Sequence, residues 1–163
     1  MRSVRPLGLL VLALTACAAG APPDPANATF TIEGQKVTLV GGRAERAAAP
    51  GSTATVVTTL GDQRAQGDFD GDGRQDVAVT LVHQPGGSGT FIYVALLLNP
   101  QTGATATNAV LIGDRIKVNA VRADGTAAVV EFMDRRPGEP LSAAPSVLTT
   151  KRLVVRDGKL AAQ

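Results

Sequence analysis

Four aspartates crowd the stretch GDFDGDGRQDVAV, which runs from Gly67 to Val79: Asp68, Asp70, Asp72 and Asp76. Two carboxylates about 5 Å apart repel by roughly 0.8 kcal/mol in water and about 3 kcal/mol at an effective dielectric near 20. Four of them close together are costly to order unless something positive sits among them. In a tightly curled loop, alternate side chains point toward a common centre. The spacing D-x-D-x-D-G-x-x-D therefore suits a hard cation that takes about six to eight oxygens at roughly 2.3–2.6 Å. The expected ligands of a structural Ca²⁺ are the side chains of Asp68, Asp70, Asp72 and Asp76 and the carbonyl of Arg74, with Gly73 permitting the sharp turn. The competing reading is a solvated acidic turn with Arg64 and Arg74 as partial counterions.

The loop is not an EF-hand. That motif places a bidentate Glu where this chain has Val79, and it lies between helices. Here the acidic turn runs straight into an apolar stretch that reads as a strand.

Other reactive groups are sparse. His83 is the only histidine and reads as a strand-end polar residue beside a turn rather than as a general base. The run GGSGT (Gly86 to Thr90) departs from the nucleophile elbow G-x-S-x-G at Thr90 and lies between two strands, where the elbow needs a helix after it. A zinc site needs His or Cys clusters, and the chain has one of each residue. Glu131 and Asp134, a carboxylate pair that could in principle act on glycosides, read as ordinary surface charge. Asp114 and Arg115 read as an ion pair fixing a strand junction. The loop Asp134 to Pro140 is charged and held open by proline, a segment suited to contacting a partner.

The elements that must carry these residues are strands. Hydrophobic residues make up 44% of the 163, aromatics only 3%, and Trp is absent, so the core is built from aliphatic side chains. Eighteen glycines and ten prolines suit short strands and turns. The runs TFTIE and KVTLV form a hairpin candidate. The Ala-rich centre of GGRAERAAAPG is the one helix-like segment, and it is marginal in length. STATVVTTL (Ser52 to Leu60), DVAVTLVH, TFIYVALLL, ATNAVLIG, RIKVNAVR, TAAVVEFM and VLTTKRLVVRDGKL complete the set. DVAVTLVH and TFIYVALLL are apolar on both faces, which places them at the centre of a sheet covered on both sides. The expectation is an all-β, mainly antiparallel domain of about eight strands, a sandwich or a strongly curved sheet.

The first residues fix the expected compartment. MRSVRPLGLLVLALTAC has two arginines and then a short apolar run. A spanning helix needs about 20 apolar residues, so this run reads as a secretory signal. Arg2 and Arg5 are two of the 16 basic residues, which leaves 14 against 14 acidic ones in the remainder. That balance gives no footprint for nucleic acid.

LTAC (Leu14 to Cys17) resembles the lipobox of bacterial lipoproteins. The resemblance implies cleavage after Ala16 and lipid on Cys17, hence attachment to a membrane at the periplasmic side of the cell envelope. Each acyl chain then contributes about 0.8 kcal/mol per buried CH₂. Ala18 in place of the aspartate that retains such lipoproteins favours the outer membrane over the inner. The expected organisation is a signal peptide at 1–16, a flexible lipid-anchored tether at 17–27, and one β domain at 28–163 with its calcium loop at 68–76.

GDFDGDGRQDVAV also resembles the calcium loops of FG-GAP (VCBS-type) repeats, in a single copy where those repeats form arrays. A wider likeness, carried by FTIEGQKVTLVGG, GDFDGDGRQDVAVTLVHQPGGSGTFIYVALLLN, TNAVLIGDRI and RRPGEPLSAAPSV, resembles a domain of secreted and lipid-anchored bacterial proteins. The expected function is a non-enzymatic binding or envelope-maintenance module. The alternative is an inhibitor of a periplasmic or foreign hydrolase such as a lysozyme, inserting a Gly-rich or Pro-rich loop into the enzyme.

Overall fold

The structure is a computed structural model that describes residues 22–163. Cys17, the expected signal peptide and the start of the expected tether lie outside the described residues. The fold is all-β, with twelve strands among the described residues: β1 (Thr29–Ile32), β2 (Gln35–Thr38), β3 (Arg43–Ala47), β4 (Thr55–Gly67), β5 (Asp76–Gln84), β6 (Phe91–Leu98), β7 (Thr105–Ala106), β8 (Val110–Asp114), β9 (Lys117–Asp124), β10 (Ala127–Asp134), β11 (Val147–Arg156) and β12 (Lys159–Ala162). The number exceeds the expected eight or so because short pieces such as β7, and the two halves of the closing hairpin, count separately.

Three antiparallel sheets stack. A six-stranded sheet has the order β3-β4-β5-β6-β7, with β8 also on β6; a four-stranded sheet has the order β12-β11-β10-β9; and β1-β2 is a hairpin. As their two-faced apolar pattern requires, β5 and β6 lie inside the six-stranded sheet. On one face Ala78, Ile92, Val94 and Leu96 pack against Val121, Ala128, Val130, Phe132 and Leu153 of the four-stranded sheet. On the other, Val77, Val79, Leu81, Tyr93 and Ala95 pack against Phe30, Ile32 and Leu39 of the hairpin layer. Burying each such Val, Leu or Phe contributes about 1.5–3 kcal/mol, so both coverings matter to stability.

Three sequence expectations are corrected. The Ala-rich segment is not helical: Arg43–Ala47 forms β3, paired with β4 from Arg43↔Thr59 to Ala47↔Thr55. Tertiary pairing overrides a helix propensity that five residues cannot use. The strand expected over Ser52–Leu60 instead runs from Thr55 to Gly67 through a bulge, where Gly61, Asp62 and Gln63 lie opposite Thr80. Gly61 is needed there, because a Cβ on it would sit 2.2 Å from Thr80 Oγ1. Finally, ordered structure begins before Ala28. Pro25–Asn27 makes a 3-10 turn, capped by Asp24, whose Oδ1 accepts from Ala26 N–H.

Candidate functional site

Gly67 and Asp76 form the last rung between β4 and β5, so residues 68–75 are the connection of that hairpin. Its one large apolar residue, Phe69, is inserted into the core between the two larger sheets. Gly71 (φ 82°) and Gly73 (φ 81°) take left-handed conformations that let the chain curl back, as the spacing requires for Gly73.

The carboxylates organise the loop from within. Asp68 Oδ1 accepts from Gly71 N–H (2.8 Å) and its Oδ2 from Gly73 N–H (2.9 Å). Asp70 Oδ1 accepts from Asp72 N–H (3.2 Å), and Asp72 Oδ1 from Arg74 N–H (2.9 Å). Asp76 is fully buried at the first position of β5; its Oδ2 accepts from Phe69 N–H (2.9 Å) and its Oδ1 from Asn99 N–H (2.8 Å). Burial pushes the Asp76 carboxyl above the usual range, the two N–H donors oppose that, and the charges of Asp70 and Asp72 push it further up.

Asp68, Asp70 and Asp76 each offer a carboxylate oxygen within 4.8 Å of the other two. That separation is about twice a Ca–O distance of roughly 2.4 Å, so the three can ligate one ion. Asp72 stands outside this trio. The donors are all oxygen, which suits a hard cation. Among the described residues, none of the four carboxylates forms an ion pair with a basic side chain. Arg74, the nearest cation in sequence, donates from Nε to the Asn99 carbonyl at 2.6 Å instead.

The remaining candidates fall elsewhere. His83, the last residue but one of β5, is buried, its Nδ1 paired with Thr58 Oγ1 at 2.9 Å and its ring edge-on to Tyr93. Burial pushes its pKa below the ordinary histidine range, with Glu33 opposing and Arg46 reinforcing the shift. Tyr93 donates its hydroxyl to Glu33 Oε1 (2.6 Å); burial first, and then this bond to a carboxylate, drive its pKa strongly upward. His83, Glu33 and Arg46 line one hollow of about 220 Å³. Sequence reading did not find this cluster, because its members come from the β1–β2 turn, β3, β5 and β6, which only strand register and the docking of the first hairpin bring together.

Asp114 and Arg115 make only a long contact, at 3.9 Å. Asp114 Oδ1 accepts from Thr90 N–H (2.9 Å), while Arg115 Nε donates to the Ser88 carbonyl (3.1 Å), so the two hold the Gly-rich β5–β6 loop. Arg135 donates to the carbonyls of Ala143, Asp114 and Arg115, which draws the Pro-rich loop to the same end. Leu141 on that loop is 51% exposed. Glu131 lies 3.6 Å from Arg122, and Asp134 Oδ1 accepts from Arg135 N–H, so these two carboxylates are separately engaged.

No helix among the described residues is long and apolar enough to cross a membrane. Compared with protein families, curated proteins and solved structures, the chain matches none.

Proposed function

We propose that this chain is a lipid-anchored module of the bacterial cell envelope, non-enzymatic, whose β domain is stabilised by a structural calcium ion in the loop 68–76. The observation that carries the cation is a trio of carboxylate oxygens, from Asp68, Asp70 and Asp76, within 4.8 Å of one another and without a basic partner. When bound, the ion supplies positive charge that offsets the mutual repulsion of the aspartates. The chain's own part is to hold the oxygens in place through Gly71, Gly73, Phe69 and Asn99. Asp72 and the Arg74 carbonyl complete the proposed set.

Binding to the folded state alone adds about 2.7 kcal/mol at a free concentration about a hundred times Kd. Calcium is therefore expected to raise the melting temperature, and Asp70→Ala to remove the rise while leaving a folded protein. Identical melting curves in calcium and in chelator sink the cation. The anchor rests on the leader and on Cys17. Cys17→Ser is expected to shift the protein from the membrane to the soluble fraction of cells; retention in the membrane rejects it.

Leu141 favours a second reading. An exposed apolar side chain on a loop braced by Arg135 is the shape of an inhibitory anchor. A hydrolase inhibitor would lose potency in Leu141→Ala with its fold intact.

A further inference from the structure

The strands β2 and β3 begin as a hairpin and then part. Val40 and Arg43 exchange both backbone hydrogen bonds (Val40 N–H to Arg43 O, 2.9 Å; Arg43 N–H to Val40 O, 3.2 Å) around Gly41 and Gly42. No further rung follows between these strands. β2 instead stays in the hairpin layer, paired with β1, while β3 joins the six-stranded sheet through β4. The turn is fixed from outside, since Gly42 N–H donates to the Ala26 carbonyl (2.8 Å) and Gly41 N–H to Asn27 Oδ1 (3.0 Å).

The phase of each strand says which backbone groups face the gap. Leu39 N–H bonds to Ala28 across the first hairpin, and Val40 bonds to Arg43. Alternation then turns Thr38 and Lys36 away from β1. On the other wall Arg43 faces Val40, and Ala48 N–H bonds to the Ala54 carbonyl on the β4 side. Glu45 and Ala47 therefore face away from β4. The N–H and C=O groups of Lys36, Thr38 and Glu45, and the N–H of Ala47, line two open edges; the Ala47 carbonyl lies 3.5 Å from Arg46 Nη1. Between these walls is a cleft of about 180 Å³, floored by Val56 and Thr58 and flanked by Lys36 and Arg46. Val37, Arg46 and Val56 also line the hollow that holds His83, so the two depressions adjoin. Glu45 is neutralised by Arg43 (2.6 Å), whereas Lys36 and Arg46 have no carboxylate partner among the described residues. Arg46 Nη2 instead donates to Gln35 Oε1 across the open end (2.6 Å).

We propose that this cleft is a strand-addition site, taking a short extended segment of a partner protein with acidic side chains. The segment completes rungs with both edges at once, places alternate apolar side chains over Val56, and sets its carboxylates by Lys36 and Arg46. Main-chain pairing gives the affinity and the two cations give the selectivity. This goes beyond the calcium reading and uses neither the cation nor the lipid.

The test titrates the full chain, in chelator, with a blocked seven-residue peptide of alternating Val and Glu, and with its Val–Lys counterpart, by calorimetry. The acidic peptide is expected to bind and the basic one not. Glu45→Pro removes an N–H that faces the cleft and costs no rung to β4, so circular dichroism stays unchanged. Affinity is expected to fall about tenfold or more, as for a lost hydrogen bond. N-methylation of alternate peptide amides gives the same loss without touching the protein. Lys36→Glu leaves Arg46 as the cleft's one unpaired cation among the described residues and is expected to weaken the preference for the acidic peptide. Failure of the acidic peptide to bind overturns the proposal, as do equal binding of the N-methylated peptide and equal binding of both peptides. A dimer in sedimentation that Glu45→Pro dissolves overturns the partner and assigns the cleft to a second copy of this chain.

Discussion

The two ends of β5 each carry a buried polar residue, and the chain treats them oppositely. At the start, Asp76 has both carboxylate oxygens occupied by N–H donors, one from the loop before it and one from the end of β6. At the far end, His83 keeps one side-chain partner, Thr58, and lies beside a hollow. A buried carboxylate without donors is expensive, so its end of the strand must be wrapped. A neutral imidazole costs less to bury, so its end can stay open. The difference separates a closed end, wrapped by N–H donors, from an open end that borders a hollow.

The strongest way to break this contrast is Asp76→Ala. It leaves Phe69 N–H without its acceptor and frees the end of β6, and should cost about 3 kcal/mol. Urea unfolding measures it; a loss under about 1 kcal/mol means the closed end is not held by this carboxylate. Thr58→Val at the open end removes one hydrogen bond and should cost about 1 kcal/mol in the same assay. A loss as large as that of Asp76→Ala erases the asymmetry.

The smallest effect is the pH dependence. Burial depresses the folded pKa of His83 below its ordinary value of 6.5, so the unfolded chain takes up the proton first. The stability contributed by neutral His83 is full above about pH 6.5, declines as pH falls below that, and is lost once pH passes the folded pKa. His83→Gln should flatten this acid slope just below pH 6.5 in unfolding curves. An unchanged slope assigns the dependence to other groups.

The centre of the fold was legible because β5 and β6 write their double burial directly into sequence. Phe91, Tyr93 and Ala95 go to one core and Ile92, Val94 and Leu96 to the other, as alternation requires. The aspartate loop was legible for a related reason. Its residues are neighbours in the chain, so spacing alone implies proximity, and the convergence of Asp68, Asp70 and Asp76 agrees with it. Strand β3 was hidden because Ala, Arg and Glu favour a helix, and its strand character comes only from pairing with β4. The second half of β4 was hidden because polar residues alternate there with small ones and give no apolar stripe. The cluster of Glu33, Tyr93 and His83 was out of reach for a further reason. It depends on the register of β5 and β6 and on where the first hairpin docks, which no local spacing encodes.

Phe69 has a consequence for how the acidic turn communicates with the rest of the molecule. Its backbone donates to Asp76 while its ring is part of the apolar interior shared with the four-stranded sheet. Slackening of the turn must therefore loosen that interior, and amide hydrogens on β10 should exchange faster whenever the turn opens. A surface event at the mouth of one hairpin thus has a reporter on the opposite layer, carried by a single phenyl ring.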